Sequence, residues 1–310
     1  MKRIQHLDIA KGIGIILVVI GHSLIEWGHY LIYMFHMPLF FYLSGIFHKH
    51  DSFANVMTKK NNSLIVPFVI FSIILLIICS LFVDVVGGVS LVPPHLTGIV
   101  GPLWFLLSLY MVCILYNFLL QLKSVITLLI CTIVTFLGGY IPDRLGWDNY
   151  LYLFSSFSLL IFYCIGHLWG RRIALKNKYQ CMIAVAASIT LFVLSYWISY
   201  KKMHLGIADL FDNVHPENFV MWILGSLTGI LMVVSISLLI DGNHCAARWL
   251  AYLGESSLYI FAFHLAILSI MHHIIPEPIG GMEFLIIALA ISTGCILRVL
   301  FNKLFPSVFK

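Results

Sequence analysis

The sequence predicts an all-α integral membrane protein: a bundle of about ten transmembrane helices, forming a single membrane-embedded domain over residues 1–310 with both termini cytoplasmic. Composition is the first observation. Hydrophobic residues make up 61% of the chain and charged residues 10%, against roughly 45–50% and 25% in soluble domains. Mean hydropathy is +1.01. The second is that apolar runs of the ~20 residues needed to cross a ~30 Å hydrocarbon layer recur along the whole chain. The third is that these runs are continuously apolar, without the two-residue alternation of lipid-facing strands, so helices are expected and not a barrel.

The runs come in this order. The first, 9–27, follows Met1-Lys2-Arg3 and looks like a secretory leader, but it carries Lys11 and His22 and no small-x-small cleavage site follows, so it is expected to be a retained helix. The second, 31–47, contains Pro38 and ends before Lys49. Lys59 and Lys60 precede the third, 64–86, and the Gly- and Pro-rich loop 87–98 separates it from the fourth, 99–122. The fifth, 124–141, follows Lys123. The sixth, 149–170, leads into Arg171 and Arg172. The seventh is 181–200, and the loop 201–217 after it holds Asp209, Asp212, His215 and Glu217. The eighth, 218–240, ninth, 249–271, and tenth, 282–302, complete the bundle, and no soluble domain is expected beyond them.

With the N-terminus inside, all of the 18 Lys and Arg residues fall on the cytoplasmic side except Arg144, Lys201 and Lys202. That asymmetry is the usual sign of orientation. Trp27, Trp147 and Trp222 then lie near the outer interface, and Trp169 and Trp249 near the inner one. The net charge of +5 is thereby a topology signal and implies no nucleic acid. The seven cysteines sit almost entirely in apolar runs, without metal or disulfide spacing. No metal site is expected.

An ionisable side chain at mid-membrane costs at least ~2.5–3.5 kcal/mol, so each one inside is a functional candidate. Lys11, Ile15, Val18 and His22 follow helical spacing, which puts Lys11 and His22 on one face about 16 Å apart. Counted along straight helices, His22, His36 and His264 all fall in the outer third of the bilayer, with Trp104 in the same layer. Bland readings stand beside these: Lys11 as an inside anchor, His22 as a packed histidine, Glu26 as a solvated outer carboxylate, Trp104 as packing. Glu255, Ser256 and Ser257 fit an N-terminal cap on the ninth helix as well as they fit substrate contact.

The motifs Asp8-Ile9-Ala10-Lys11-Gly12, Val18-Val19-Ile20-Gly21-His22 and Phe35-His36-Met37-Pro38-Leu39-Phe40-Phe41-Tyr42-Leu43-Ser44-Gly45 resemble the opening of the acyltransferase-3 family of membrane O-acyltransferases. Lys59-Lys60 before Leu64-Ile65-Val66-Pro67-Phe68, then Pro102-Leu103-Trp104-Phe105-Leu106, and Leu253-Gly254-Glu255-Ser256-Ser257-Leu258-Tyr259 leading to His264, continue the likeness in family order. The resemblance implies transfer of an acetyl group from acetyl-CoA to a hydroxyl of a cell-surface or lipid-linked carbohydrate, in a bacterial cytoplasmic membrane, with no permanently bound cofactor. His22 would be the catalytic base, with Glu26 as its partner. Arg3, Lys11, Lys59 and Lys60 would hold the acyl-CoA, and His36, Trp104, Ser257 and His264 would contact the acceptor. Lys11 departs from the Arg of many relatives, and a lysine lacks the bidentate fork that Arg offers a phosphate. The alternative is a proton-coupled transporter or flippase of a sugar or lipid-linked glycan, which also buries His and Lys in a helix bundle.

Overall fold

The computed structural model describes residues 4–25, 28–82, 98–145, 153–170, 178–202, 216–279 and 281–306. Among the described residues there are twelve α-helices and no strand. They are α1 Gln5–Gly21, α2 His29–Tyr33, α3 His36–Ile46, α4 Phe53–Lys60, α5 Val66–Leu81, α6 Trp104–Leu119, α7 Ser124–Leu145, α8 Leu153–Trp169, α9 Lys178–Tyr196, α10 Pro216–Ile240, α11 Cys245–Ile274 and α12 Met282–Leu304. Each apolar run of the sequence corresponds to one helical unit, because α2 and α3 divide the second run and a π-helical turn, Asn61–Ile65, joins α4 to α5. Among the described residues, six units are long and apolar enough to cross a membrane: Phe53–Leu81, Val100–Leu119, Lys178–Tyr200, Val220–Ile240, Cys245–Ile274 and Met282–Leu304. The protein is a multi-pass membrane protein.

Its surface is inverted relative to a soluble domain. Leu81 and Leu285 are each 71% exposed and Val125 is 70% exposed, which is stable only where the surroundings are as apolar as the side chains. Burial separates the centre from the rim. The span containing α9 buries 17% of its residues and that containing α10 buries 50%, so α9 lies at the lipid edge and α10 in the interior.

The centre is the parallel pair α1 and α11. Without a hydrophobic driving force between helices in lipid, close backbone approach does the gluing, and it requires small residues at the contact. A Cβ on Gly12 would run into the Leu250 carbonyl, and one on Gly254 would run into the Asp8 carbonyl. Ten residues beyond each glycine, the His22 and His264 rings meet with centroids 5.2 Å apart. The glycine contact therefore sets the register that joins the two histidines. A second, antiparallel pair works the same way, with Gly45 of α3 against the Tyr163 carbonyl and Gly166 of α8 against that of Tyr42.

Two sequence expectations change here. The first helix ends at Gly21, so His22 is its C-cap and not an interior residue. The Glu255-Ser256-Ser257 segment does not open the ninth helix, since α11 begins at Cys245 with His244 as N-cap, its ring accepting from the Ala247 N–H at 3.3 Å. Glu255 instead forms an ion pair with Arg298 of α12, whose guanidinium also donates to Ser256 Oγ at 3.3 Å and lies 5.1 Å from the Tyr252 ring. Arg298 thus joins α12 to α11.

Adding one methyl at the α1–α11 contact should cost about 1–3 kcal/mol, as overpacking does elsewhere. Gly254→Ala is expected to lower the thermal unfolding midpoint in detergent, while Gly281→Ala, where a Cβ would meet nothing within 4 Å, leaves it unchanged.

Candidate active site

Proline decides where the site begins. Pro38 has no N–H, so the carbonyl of Met34, four residues earlier, cannot be satisfied by the helix. The chain breaks at Met34 and Phe35, and α3 starts at His36 with Leu39 N donating to the Phe35 carbonyl at 2.9 Å. The released Met34 carbonyl accepts instead from Ser226 Oγ of α10 at 2.8 Å. Gly225, next to Ser226, and Gly229, about one turn further on α10, leave room for the Met34 and Phe35 side chains at the break. An interrupted helix at membrane depth is tolerated when neighbouring helices pair the freed backbone groups in this way.

The break turns α2 across the end of α1 and brings Tyr33 to His22. Tyr33 Oη and His22 Nδ1 are 3.2 Å apart. The Tyr33 ring meets the His36 ring edge-on at 5.0 Å and the His22 ring at 5.7 Å. His22 is half-buried; His36 is 4% exposed and His264 fully buried. The structure thus brings together the three histidines that the sequence placed at one depth.

The tautomers of the two buried histidines follow from their partners. His36 Nδ1 lies 2.9 Å from the Ile32 carbonyl, and His264 Nδ1 lies 2.8 Å from the Phe261 carbonyl and 3.2 Å from that of Ile260. A carbonyl only accepts, so each Nδ1 carries the proton and each Nε2 presents a lone pair. His264 Nε2 is buried with no hydrogen-bond partner among the described residues. A buried acceptor of this kind is costly to leave unpaired and favours a ligand that brings donors.

Trp104 opens α6 and packs half-buried against the main core. Its neighbour Phe105 meets the rings of Phe40, Phe41 and Phe261, at 6.0, 5.3 and 5.1 Å, and Phe261 lies 6.1 Å from His264. These aromatics wall the histidine cluster from below. Ser257 is half-buried on α11, two turns before His264. Glu26 and Arg3 lie outside the described residues.

The basic residues at the other end of α1 are not equivalent. Lys11 pairs with Asp8 at 3.5 Å and lies 4.9 Å from the centre of the Phe47 ring, so a carboxylate already shares its charge. Lys59 is surface-exposed and bonds to Asp51 at 2.6 Å. That bond, the Asn55 side chain and the Ser52 N–H hold the Asp51 carboxyl well below the usual carboxylate range. Lys60 turns inward to the Cys113 thiol, beside a buried cluster in which Tyr163 Oη lies 2.8 Å from His48 Nδ1 and 3.3 Å from Cys113 Sγ.

Sequence reading missed Tyr33 and Glu283. Glu283 at the head of α12 accepts from the Leu24 N–H at 2.9 Å, two residues beyond His22. Pro38 was the available signal for Tyr33, since it marks a break that folds the preceding turn onto its neighbours. Glu283 carried none, because its role depends on how α12 meets α1.

Removing the hydroxyl that satisfies Met34 should leave a buried carbonyl unpaired, at about 1–3 kcal/mol. Ser226→Ala is therefore expected to lower the unfolding midpoint in detergent more than Thr228→Ala, since Thr228 Oγ1 bonds only within its own helix.

A family model described as an acyltransferase domain matches residues 4–301. The chain is also similar to the nodulation protein NolL of Mesorhizobium japonicum, 23% identical over 295 residues, a stretch covering 85% of this chain and 76% of that one. No solved structure matches the chain.

Proposed function

Because the chain belongs to the acyltransferase-3 family, with nearly its whole length matched, we propose that this membrane acyltransferase is an O-acetyltransferase. In this reading it moves acetyl from cytosolic acetyl-CoA to a hydroxyl of a cell-surface or lipid-linked carbohydrate, in the cytoplasmic membrane of a bacterium. The observation that carries the reading is the convergence of His22, Tyr33, His36 and His264 at one end of α1. Lys11 and Lys60 stand toward the other end. The basic loops orient that end to the cytoplasm.

A sugar hydroxyl is a weak nucleophile near neutral pH and needs a base. In the tautomer whose Nδ1–H donates to Tyr33 Oη, His22 presents the Nε2 lone pair to the acceptor hydroxyl. The hydroxyl oxygen attacks the thioester carbonyl carbon as its proton passes to Nε2. Collapse of the tetrahedral adduct breaks the C–S bond, and the imidazolium returns the proton to the departing CoA sulfur. The lone pairs on His36 Nε2 and His264 Nε2 accept from other hydroxyls of the same acceptor, which suits a neutral polyol better than an anion. Glu26 belongs to the same reading as a catalytic partner of His22, Trp104 and Ser257 as acceptor-side groups, and Arg3 and Lys59 as donor-side cations.

Between Lys11 and His22 α1 rises about 16 Å, comparable to the reach of a pantetheine arm, so CoA phosphates near Lys11 and Lys60 leave the thioester close to His22. Lys11 would divide its charge between Asp8 and a phosphate, which limits what it contributes.

His22→Ala is expected to lower kcat by about 10²–10⁴, the usual contribution of a general base, and to leave donor KM nearly unchanged. Lys11→Ala should instead raise donor KM by about 3–10-fold, in line with one partly shared ion pair. Tyr33→Phe should lower kcat about tenfold, as loss of the hydroxyl that orients the His22 ring. Base-labile acetyl esters on the surface glycans of a deletion strain, complemented with wild type or His22→Ala, test the whole reading. Restoration by wild type alone supports it, and equal restoration by both removes His22 from the mechanism.

A further inference from the structure

α1 holds His22 only by its backbone N–H. As C-cap it has left the helix, with φ −107° and ψ 3°, and its N–H is shared between the Val18 and Val19 carbonyls at 3.2 Å each. The ring therefore points where the next few residues send it. Those residues are held partly by themselves: Ser23 Oγ donates to the Ile20 carbonyl at 2.7 Å and accepts from Ile25 N at 3.3 Å. His29 Nε2 adds a bond to the Ser23 carbonyl at 3.1 Å. All of these run between residues 20 and 29. The Leu24 N–H reaches further, to Glu283 Oε1 at 2.9 Å.

Glu283 is 6% exposed, and a buried carboxylate is expensive unless its oxygens are paired. It sits in the first turn of α12, where the free N–H groups and helix dipole favour negative charge. His272 Nε2 of α11 lies 3.2 Å from one carboxylate oxygen and 3.1 Å from the other. One side chain thus ties the end of α1, the end of α11 and the start of α12. His272 follows His264 on α11 by eight residues, so the same carboxylate connects the turn bearing His22 to the helix bearing the opposite wall of the site.

We infer that Glu283, seated by His272, is a positioning residue for the acyl transfer: its bond to the Leu24 N–H sets the turn that aims His22 at the acceptor beside His264. Glu283 acts through His22 and touches no substrate. The inference rests on the reading of His22 as the base.

The test compares Glu283→Gln, Glu283→Ala and His22→Ala in the full-length protein, with amounts normalised to folded material. In native membranes, release of the CoA thiol from acetyl-CoA gives kcat and donor KM. Separately, diethyl pyrocarbonate labelling read by mass spectrometry gives the reactivity of His22 relative to exposed His50. Glu283→Ala is expected to lower kcat about tenfold or more with donor KM within about twofold, and to change the His22 labelling rate by about fivefold or more. Glu283→Gln, which keeps an oxygen for the Leu24 N–H, should return both values to within about threefold of wild type. Glu283→Ala with wild-type His22 labelling would overturn the inference, as would a Gln variant as impaired as Ala. Wild-type turnover in His22→Ala would instead remove the base reading, and the labelling rates alone would then decide whether Glu283 positions that ring.

Discussion

The backbone contact between α1 and α11 is the constraint on which the rest of the bundle depends. Lipid offers no hydrophobic reward for bringing two apolar helices together, so their association rests on how closely the backbones approach. Gly12 and Gly254 lack the Cβ atoms that would collide with the Leu250 and Asp8 carbonyls of the facing helix. Once that contact exists, the equal ten-residue advance along the two parallel helices brings the end of α1 that bears His22 beside His264. The site is a consequence of register: a polar cluster assembled by an apolar contact nearly three helical turns away.

The second constraint is that backbone polar groups in a membrane must find partners inside the protein. Pro38 creates an unpaired carbonyl at Met34, and Ser226 of α10 pairs it. That repair lets the second run bend, and the bend delivers Tyr33 to His22. The same logic governs charge. Glu255 with Arg298, Asp8 with Lys11 and Glu283 with His272 each bring a carboxylate to a cation or imidazole between or along helices. These pairs lie along α1, α11 and α12, the helices that also carry two of the three clustered histidines.

The polar groups at the His22 end contrast with those at the Lys11 end. At the first, two buried imidazoles present lone pairs and no carboxylate is within the cluster among the described residues. Such a floor receives hydroxyl hydrogens. At the second, lysines at three positions have three different surroundings: one shares a carboxylate, one is drawn to a surface aspartate, and one faces a buried thiol. Three residues that look alike in sequence therefore differ in how freely each can meet a donor phosphate.

Composition and run length by themselves determined the fold class and the order of the helical units, because crossing a fixed thickness of hydrocarbon needs a fixed length of apolar helix. They also determined that His22, His36 and His264 share a depth, since rise per residue is constant. The family resemblance was legible in the motifs for the same reason: they sit at fixed places on successive helices. What only the tertiary structure decided is lateral. Depth says nothing about which helices are neighbours, so the meeting of Tyr33 with His22, the pairing of Glu255 with Arg298 instead of a cap, and the reach of Glu283 to the Leu24 N–H all waited on packing. Side-chain and backbone polar groups in lipid take whatever partner the adjacent helix provides, and adjacency is fixed by where small residues allow two backbones to touch.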